Sequence, residues 1–341
     1  MLSIRLPLAL DSGLLALPET GRIAVIGPVA GTDLSALPRD RVHVVQGFRP
    51  DHDAFAARGY EVSTEPAGPY AAAIVCLPRA RGAAQARIAE AIGHLSPGAP
   101  LAIDGQKTDG VDSMLRTIRA RVPVGEALSK AHGKIFTLQV PDGPVFQDWA
   151  AKPLHLPEGF QTLPGVFSAD GIDPASALLA GALPGRLGAR VADLGAGWGF
   201  LSRAILERPD VTELHLVEAD HLALGCARVN IRDPRAQFHW ADALNIVLPS
   251  RMDAVVMNPP FHTGRAADPG LGTGFISAAA GMLAPHGTLW LVANRHLPYE
   301  DTLKHRFREV EEIAGSPGFK IYRAAKPAQA QTPARPGKRR V

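Results

Sequence analysis

The chain has 341 residues, of which 46% are hydrophobic and 20% charged, and a formal net charge of +3. That length allows two ordinary domains with a core each, and the composition is that of a globular protein. No run of about 18 uncharged apolar residues occurs, which excludes a helical membrane span, and Asp11 interrupts the apolar start "MLSIRLPLALDSG", so no signal peptide is expected.

The first half carries apolar runs at 21–28 (GRIAVIGP), 41–48 (RVHVVQGF), 70–78 (YAAAIVCLP) and 99–106 (APLAIDGQ), each predicted as a strand. An amphipathic helix is predicted over 79–95, between the last two. Short apolar runs separated by helix-length segments indicate βαβ units and a parallel sheet. Residues 141–165, "PDGPVFQDWAAKPLHLPEGFQTLPG", are rich in Pro and Gly and mark a boundary between domains.

The second half repeats the plan. Strands are predicted at 190–196 (RVADLGA), 213–220 (ELHLVEAD), 236–243 (AQFHWADA), 253–258 (DAVVMN) and 287–294 (GTLWLVAN). "REVEEIAG" (308–315) and "FKIYRAAK" (319–326) flank the short turn "SPG" and read as a closing antiparallel hairpin. The last residues hold Lys326, Arg335, Lys338, Arg339 and Arg340 and no acid, so the basic character lies in a tail and the rest of the chain is slightly acidic. With almost nothing to bury, that tail is expected to be disordered and to suit a polyanionic partner such as RNA.

Three motifs carry chemistry. "DLGAGWG" places Gly195, Gly197 and Gly199 directly behind a strand and ahead of a helix, where the backbone can turn tightly and free N–H groups can meet a ligand. The spacing is GxGxG, not the GxGxxG of dinucleotide binders, which disfavours an NAD-dependent oxidoreductase. Asp193 stands just before the loop, at the crevice side of a parallel sheet. Glu218 ends the next predicted strand, where a carboxylate can accept both hydroxyls of a ribose. Asp242 ends the third and can accept from an adenine amine. An acid at the tip of each of three successive strands points to a nucleoside cofactor.

The third motif is "NPPF", Asn258 to Phe261, directly after a buried strand. An exocyclic planar amine has two N–H groups and a lone pair delocalised into its ring. The Asn258 side-chain oxygen and the Pro259 carbonyl can accept one N–H each, which aims the lone pair at an electrophile. Pro259 and Pro260 supply rigidity without a competing donor, and Phe261 can stack on the base. The motif is therefore a device for orienting an amine.

"DLGAGWG", Glu218, Asp242 and "NPPF", in this order and spacing, resemble the class I S-adenosylmethionine-dependent methyltransferases that modify exocyclic or amide nitrogens. "LPGVFSADGIDPASALL" (163–179), "NPPFHTG" and "VANRHLPYEDTL" further resemble the RsmC-type ribosomal RNA guanine-N2 methyltransferases over residues 163–326. The first half is similar more loosely, best at "DGQKTDGVDS" (104–113). The resemblance implies an α/β fold of two tandem Rossmann-like methyltransferase domains, mostly parallel sheet with a C-terminal antiparallel hairpin. In that family the N-terminal copy is degenerate and binds no cofactor. Here "AVIGPVAG" (24–31) lacks the Asp and the GxGxG, and "CLPR" stands in place of "NPPF".

By the same resemblance, Asp193, Gly195, Ala196 and Gly197 hold the methionine moiety and sugar of S-adenosylmethionine. Glu218 holds the ribose and Asp242 the adenine. Asn258, Pro259, Pro260 and Phe261 hold the target base, and Asn294 and Tyr299 lie near the pocket as packing or substrate contacts. The expected domains are a degenerate copy over 1–150 that scaffolds or grips RNA, a catalytic domain over 151–326 and a basic tail over 327–341. The expected activity is methyl transfer to a guanine N2 of ribosomal RNA, most readily 16S, in RNA or an assembled subunit. Adenine N6, a protein glutamine, or an assembly factor without catalysis are the alternatives. The two cysteines, Cys76 and Cys226, and the twelve histidines match no metal or redox spacing, so no metal is expected. A cytoplasmic monomer is expected, with no membrane partner.

Overall fold

Residues 1–260, 262–263, 266–267 and 269–328 are described in the computed structural model. They fall into two compact units, one of residues 1–171 with 219–226, the other of 172–218 with 227 onward.

In the first unit the order is α1 (Leu2–Asp11), β1 (Ile23–Ile26), β2 (Val42–Val45), α2 (Arg49–Ala57), β3 (Glu61–Ser63), β4 (Ala72–Cys76), α3 (Arg81–Gly93), β5 (Pro100–Gln106), α4 (Val111–Arg119), β6 (Ala127–Lys130) and β7 (Gly133–Gln139). The sheet runs β3-β2-β1-β4-β5-β7-β6. Strands β1 and β2 are buried at every residue, as continuous apolar runs in a two-sided parallel sheet must be. All four strands and the helix predicted for this half are present.

Two features of this unit escape sequence reading for identifiable reasons. Strand β3 has three residues at the sheet edge and none is fully buried, so it carries no apolar run. The β6–β7 hairpin turns through Ala131 and His132, which both take positive φ, 50° and 56°. Such a two-residue turn ordinarily announces itself with Asn-Gly, and here it does not. Helix α1 is clamped to the sheet by a buried ion pair: Arg5 Nη2 donates to Asp104 Oδ2 at 2.8 Å, and Arg5 Nη1 donates to the Lys130 carbonyl at 2.9 Å.

A short two-stranded ladder, β8 (Leu154–His155) and β9 (Gln161–Thr162), follows. The second unit then contains α5 (Pro174–Ala182), β10 (Arg190–Leu194), α6 (Phe200–Leu206), β11 (Glu213–Glu218), the end of α7 (His221–Asn230, of which 221–226 fall in the first unit), β12 (Ala236–Trp240) and β13 (Met252–Met257). A small hairpin, β14 (His262–Thr263) and β15 (Ala266–Ala267), precedes α8 (Pro269–Met282), β16 (Leu283–Asn294), α9 (Glu300–Arg306), β17 (Phe307–Gly315) and β18 (Phe319–Pro327). Its main sheet runs β12-β11-β10-β13-β16-β18-β17.

Renumbered within each unit, both sheets have the order 3-2-1-4-5-7-6, with the last two strands antiparallel. The chain is thus a tandem repeat of one α/β fold, as expected. The second core packs Ala192, Leu194, Val255, Met257 and Leu291 against Phe275, Ile276 and Ala279 of α8. Strand β10 lies at its centre, between β11 and β13, so their C-terminal ends open side by side.

Candidate active site

The glycine loop leaves the end of β10. Gly195, Gly197 and Gly199 all have positive φ, 75°, 56° and 96°, a conformation that side chains rarely adopt. The loop is tied to the neighbouring strand. The N–H groups of Gly195 and Ala196 donate to the Val217 carbonyl at 2.9 and 3.1 Å, and that of Gly197 to Glu218 Oε2 at 2.8 Å. Gly199 is needed for close packing, since a Cβ there would stand 3.0 Å from Ile231. At Gly197 a Cβ would meet nothing within 4 Å, so the space beside this residue is open.

Asp193, one residue before the end of β10, is wholly buried. Its Oδ2 accepts from Ser202 Oγ at 2.7 Å, and its Oδ1 has no hydrogen-bond partner among the described residues. Burial lifts its pKa to about 7, against the lowering effect of the Ser202 hydrogen bond, and the charge of Glu218 adds to the rise. A buried acid with an unmet oxygen beside an open glycine loop fits a ligand that brings N–H donors and positive charge, as the methionine end of S-adenosylmethionine does.

Asn258 follows β13 immediately. Its Nδ2 donates to Asp173 Oδ2 and to Ser176 Oγ, each at 2.8 Å. Asp173 is the N-cap of α5 and also accepts from the Ser176 backbone N–H at 2.8 Å. With its nitrogen held by α5, the planar amide turns Oδ1 to the other side. The two motifs abut: a Cβ at Gly195 would stand 4.0 Å from the Asn258 carbonyl oxygen.

Pro259 is buried and Pro260 exposed. Asn258, Pro259, Asn294 and Tyr299 line one cavity of about 10 Å³, no larger than a single water. Tyr299 is fully buried, and its hydroxyl stands where a Cβ on Gly272 of α8 would go, so it packs the loop behind the motif. Phe261 lies outside the described residues, as do residues 329–341 of the basic tail.

Asp242 sits differently from expectation. Strand β12 ends at Trp240, and Asp242 lies in the turn beyond it. Its Oδ1 accepts from Leu244 N at 2.9 Å and its Oδ2 from Asn245 Nδ2 at 2.6 Å. Turn formation therefore engages both oxygens, although each keeps a further lone pair.

Asp173, Ser176, Ser202 and Asn230 were not singled out as site residues from the sequence. Asp173-Pro174 is a legible helix start, an N-cap followed by proline at the first helical position. Its bond to Asn258 joins residues 85 apart in sequence and has no local mark. Asn230 is the last residue of α7, and its Nδ2 donates to the Trp198 carbonyl at 2.8 Å, bracing the glycine loop.

The first unit lacks this architecture. The residue after β1, Gly27, faces the guanidinium of Arg87, which donates to the Cys76 carbonyl at 2.6 Å. In the second unit the residue after the first strand is Gly195, where an added Cβ would meet nothing closer than 3.7 Å. Among the described residues no group of three His, Cys, Asp or Glu is placed to hold a metal, and no helix is long and apolar enough to cross a membrane.

The sequence profile of the family "Methyltransferase small domain" matches residues 158–323. The ribosomal RNA small subunit methyltransferase C of Shewanella pealeana is 30% identical over 260 residues, which cover 73% of this chain and 75% of the relative. Its Pseudomonas aeruginosa namesake is 29% identical over 279 residues, 79% of this chain and 83% of the relative. Among solved structures, a 16S rRNA N2 G1207 methyltransferase (RsmC) from T. thermophilus, in complex with AdoMet and guanosine, superposes with a TM-score of 0.76 at 27% identity, covering 91% of this chain and 90% of the other.

Proposed function

From the premise that this chain belongs to the ribosomal RNA small subunit methyltransferase C family, we propose that it transfers the methyl group of S-adenosylmethionine to the exocyclic N2 amine of a guanine in 16S rRNA. The target is the guanine equivalent to the G1207 named for the T. thermophilus protein.

S-adenosylmethionine supplies a methyl on a positively charged sulfur, which leaves as a neutral sulfide. Asp193 and the Gly195–Gly197 loop hold its methionine end, Glu218 the ribose and Asp242 the adenine. Asn258 Oδ1 and the Pro259 carbonyl each accept one N–H of the guanine amine and direct its lone pair in line with the methyl. A nitrogen–carbon bond forms as the sulfur–carbon bond breaks, and the nitrogen then loses a proton to water. Nothing here requires a strong base, so catalysis rests on positioning, which is worth about 7–11 kcal/mol in favourable cases. The guanine must be unpaired or flipped to present its amine.

The observation that carries this reading is the orientation of Asn258. An amide whose nitrogen is already committed to a carboxylate and a hydroxyl offers an acceptor, and an acceptor is what an amine nucleophile needs. For the first unit we propose a scaffolding and RNA-gripping role over residues 1–150, supported by the lack of an acid and of a GxGxG loop at the end of β1. Residues 151–326 then form the catalytic domain.

The test is incubation with methyl-labelled S-adenosylmethionine and small ribosomal subunits, large subunits or free rRNA from a strain lacking the enzyme, followed by nucleoside analysis. Labelled N2-methylguanosine from small-subunit RNA is the expected product. Label in N6-methyladenosine or in protein would replace this reading with one of its alternatives.

A further inference from the structure

A side-chain amide has nearly the same shape at its two ends, so its neighbours decide which end meets the reacting amine. At Asn258 those neighbours are Asp173 Oδ2 and Ser176 Oγ, each 2.8 Å from Nδ2. A carboxylate can only accept, so the Asn258 atom facing it has to be the nitrogen. If the amide were reversed, two oxygens would face each other and an N–H pair would confront the N–H groups of the target.

Capping α5 does not explain this arrangement. The cap needs one oxygen for the Ser176 backbone N–H, and Ser, Thr or Asn would provide it as well as Asp. Asp173 Oδ2 takes that bond and the Asn258 bond together. Ser176, nearly buried, uses its hydroxyl oxygen on the same amide.

We propose that Asp173 and Ser176 are positioning residues for methyl transfer. They fix the Asn258 amide with Oδ1 toward the target amine, and the Asp173 carboxylate polarises the amide so that Oδ1 accepts more strongly as positive charge develops on the nucleophilic nitrogen. A hydrogen bond to a charged partner is roughly twice as strong as one between neutral groups, and hydrogen bonds in series reinforce one another. The charge acts through Asn258 without touching the substrate. This proposal rests on Asn258 being the acceptor for the guanine amine.

Asp173→Asn separates the cap from the charge, because asparagine caps helices as well as aspartate but presents an amide of either orientation to Asn258. Asp173→Ala removes both, and Ser176→Ala removes one of the two acceptors. For each, with the wild type alongside, the melting temperature, the S-adenosylmethionine Kd and the single-turnover rate on small-subunit RNA are measured. Asp173→Asn should keep its melting temperature and bind the cofactor within about threefold, while transfer slows by about tenfold or more. Ser176→Ala should slow transfer by a smaller factor, also without loss of cofactor.

Wild-type transfer with an unimpaired Asp173→Asn would overturn the positioning role and leave α5 as packing. So would a slowing matched by an equal loss of cofactor affinity or of folded protein, and if Asp173→Asn fails to fold, Ser176→Ala decides in the same way. A wild type that methylates no guanine would overturn the functional reading itself, and this proposal with it.

Discussion

Glu218 Oε2 accepts the backbone N–H of Gly197 at 2.8 Å, so the acid at the tip of β11 holds the glycine loop of β10 in place. It has two tasks in the proposed site, to brace the loop and to accept from a ribose. Glu218→Ala should therefore raise the S-adenosylmethionine Kd by roughly tenfold to a hundredfold, the range for losing hydrogen bonds to a charged group. Glu218→Gln keeps one acceptor and should lie between. Titration calorimetry measures both, and an unchanged Kd in the alanine variant would remove Glu218 from the cofactor site.

Asn258 is separate in function from that loop although adjacent in space. Asn258→Ala removes the acceptor but no cofactor contact, so single-turnover transfer should fall by about a hundredfold or more with cofactor Kd within about threefold. Asn258→Asp should also be impaired, since it sets a second carboxylate against Asp173 in place of a donor. Rapid-quench assays with saturating cofactor separate the two effects.

Asp193 makes the protein sensitive to pH. Burial lifts its pKa from 3.8 to about 7, so the folded chain holds this proton more tightly than the unfolded chain does. Its contribution to stability is fully present below about pH 4, is lost as pH rises toward about 7, and changes little beyond. Asp193→Asn should flatten that part of the melting curve against pH relative to wild type. A cation bound beside Asp193 favours the ionised form, so cofactor binding should release a proton below about pH 7 and tighten as pH rises to about 7, levelling off above it. Calorimetry in buffers of different ionisation enthalpy reads the proton directly, and Asp193→Asn should abolish that release.

The first unit stands or falls on a different group. Arg5 is fully buried and meets Asp104 through two parallel hydrogen bonds. Asp104→Ala would leave the guanidinium buried without its counter-charge, at a cost of about 3–5 kcal/mol. Chemical denaturation should show that loss in the transition reporting on the first unit, with the cofactor Kd unchanged.

The repeat was legible because its central strands are buried on both faces and therefore write themselves as apolar runs, from IAVI in β1 to AVVM in β13. The glycine loop was legible because glycine is the residue that most readily takes the positive φ values at 195, 197 and 199. What could not be read was tertiary. Ala131-His132 makes a tight turn with residues that seldom do so, and β3 is too short and too exposed to show a period. Asp242 reads as a strand-end acid, yet the strand stops at Trp240 and the turn recruits both carboxylate oxygens. Tyr299 follows a site-like segment, but folding buries it against Gly272. The hold of Asp173 and Ser176 on Asn258 spans more than eighty residues and exists only once α5 packs against β16, the neighbour of β13 in the sheet.

The most direct test of the account is to treat unmethylated small ribosomal subunits with wild-type protein and with Asn258→Ala, using labelled S-adenosylmethionine, and to identify the labelled nucleoside by mass spectrometry. The wild type should yield N2-methylguanosine at a single position, and Asn258→Ala should yield almost none while still binding cofactor. A methyl on any other atom, or equal yield from the two proteins, would contradict it.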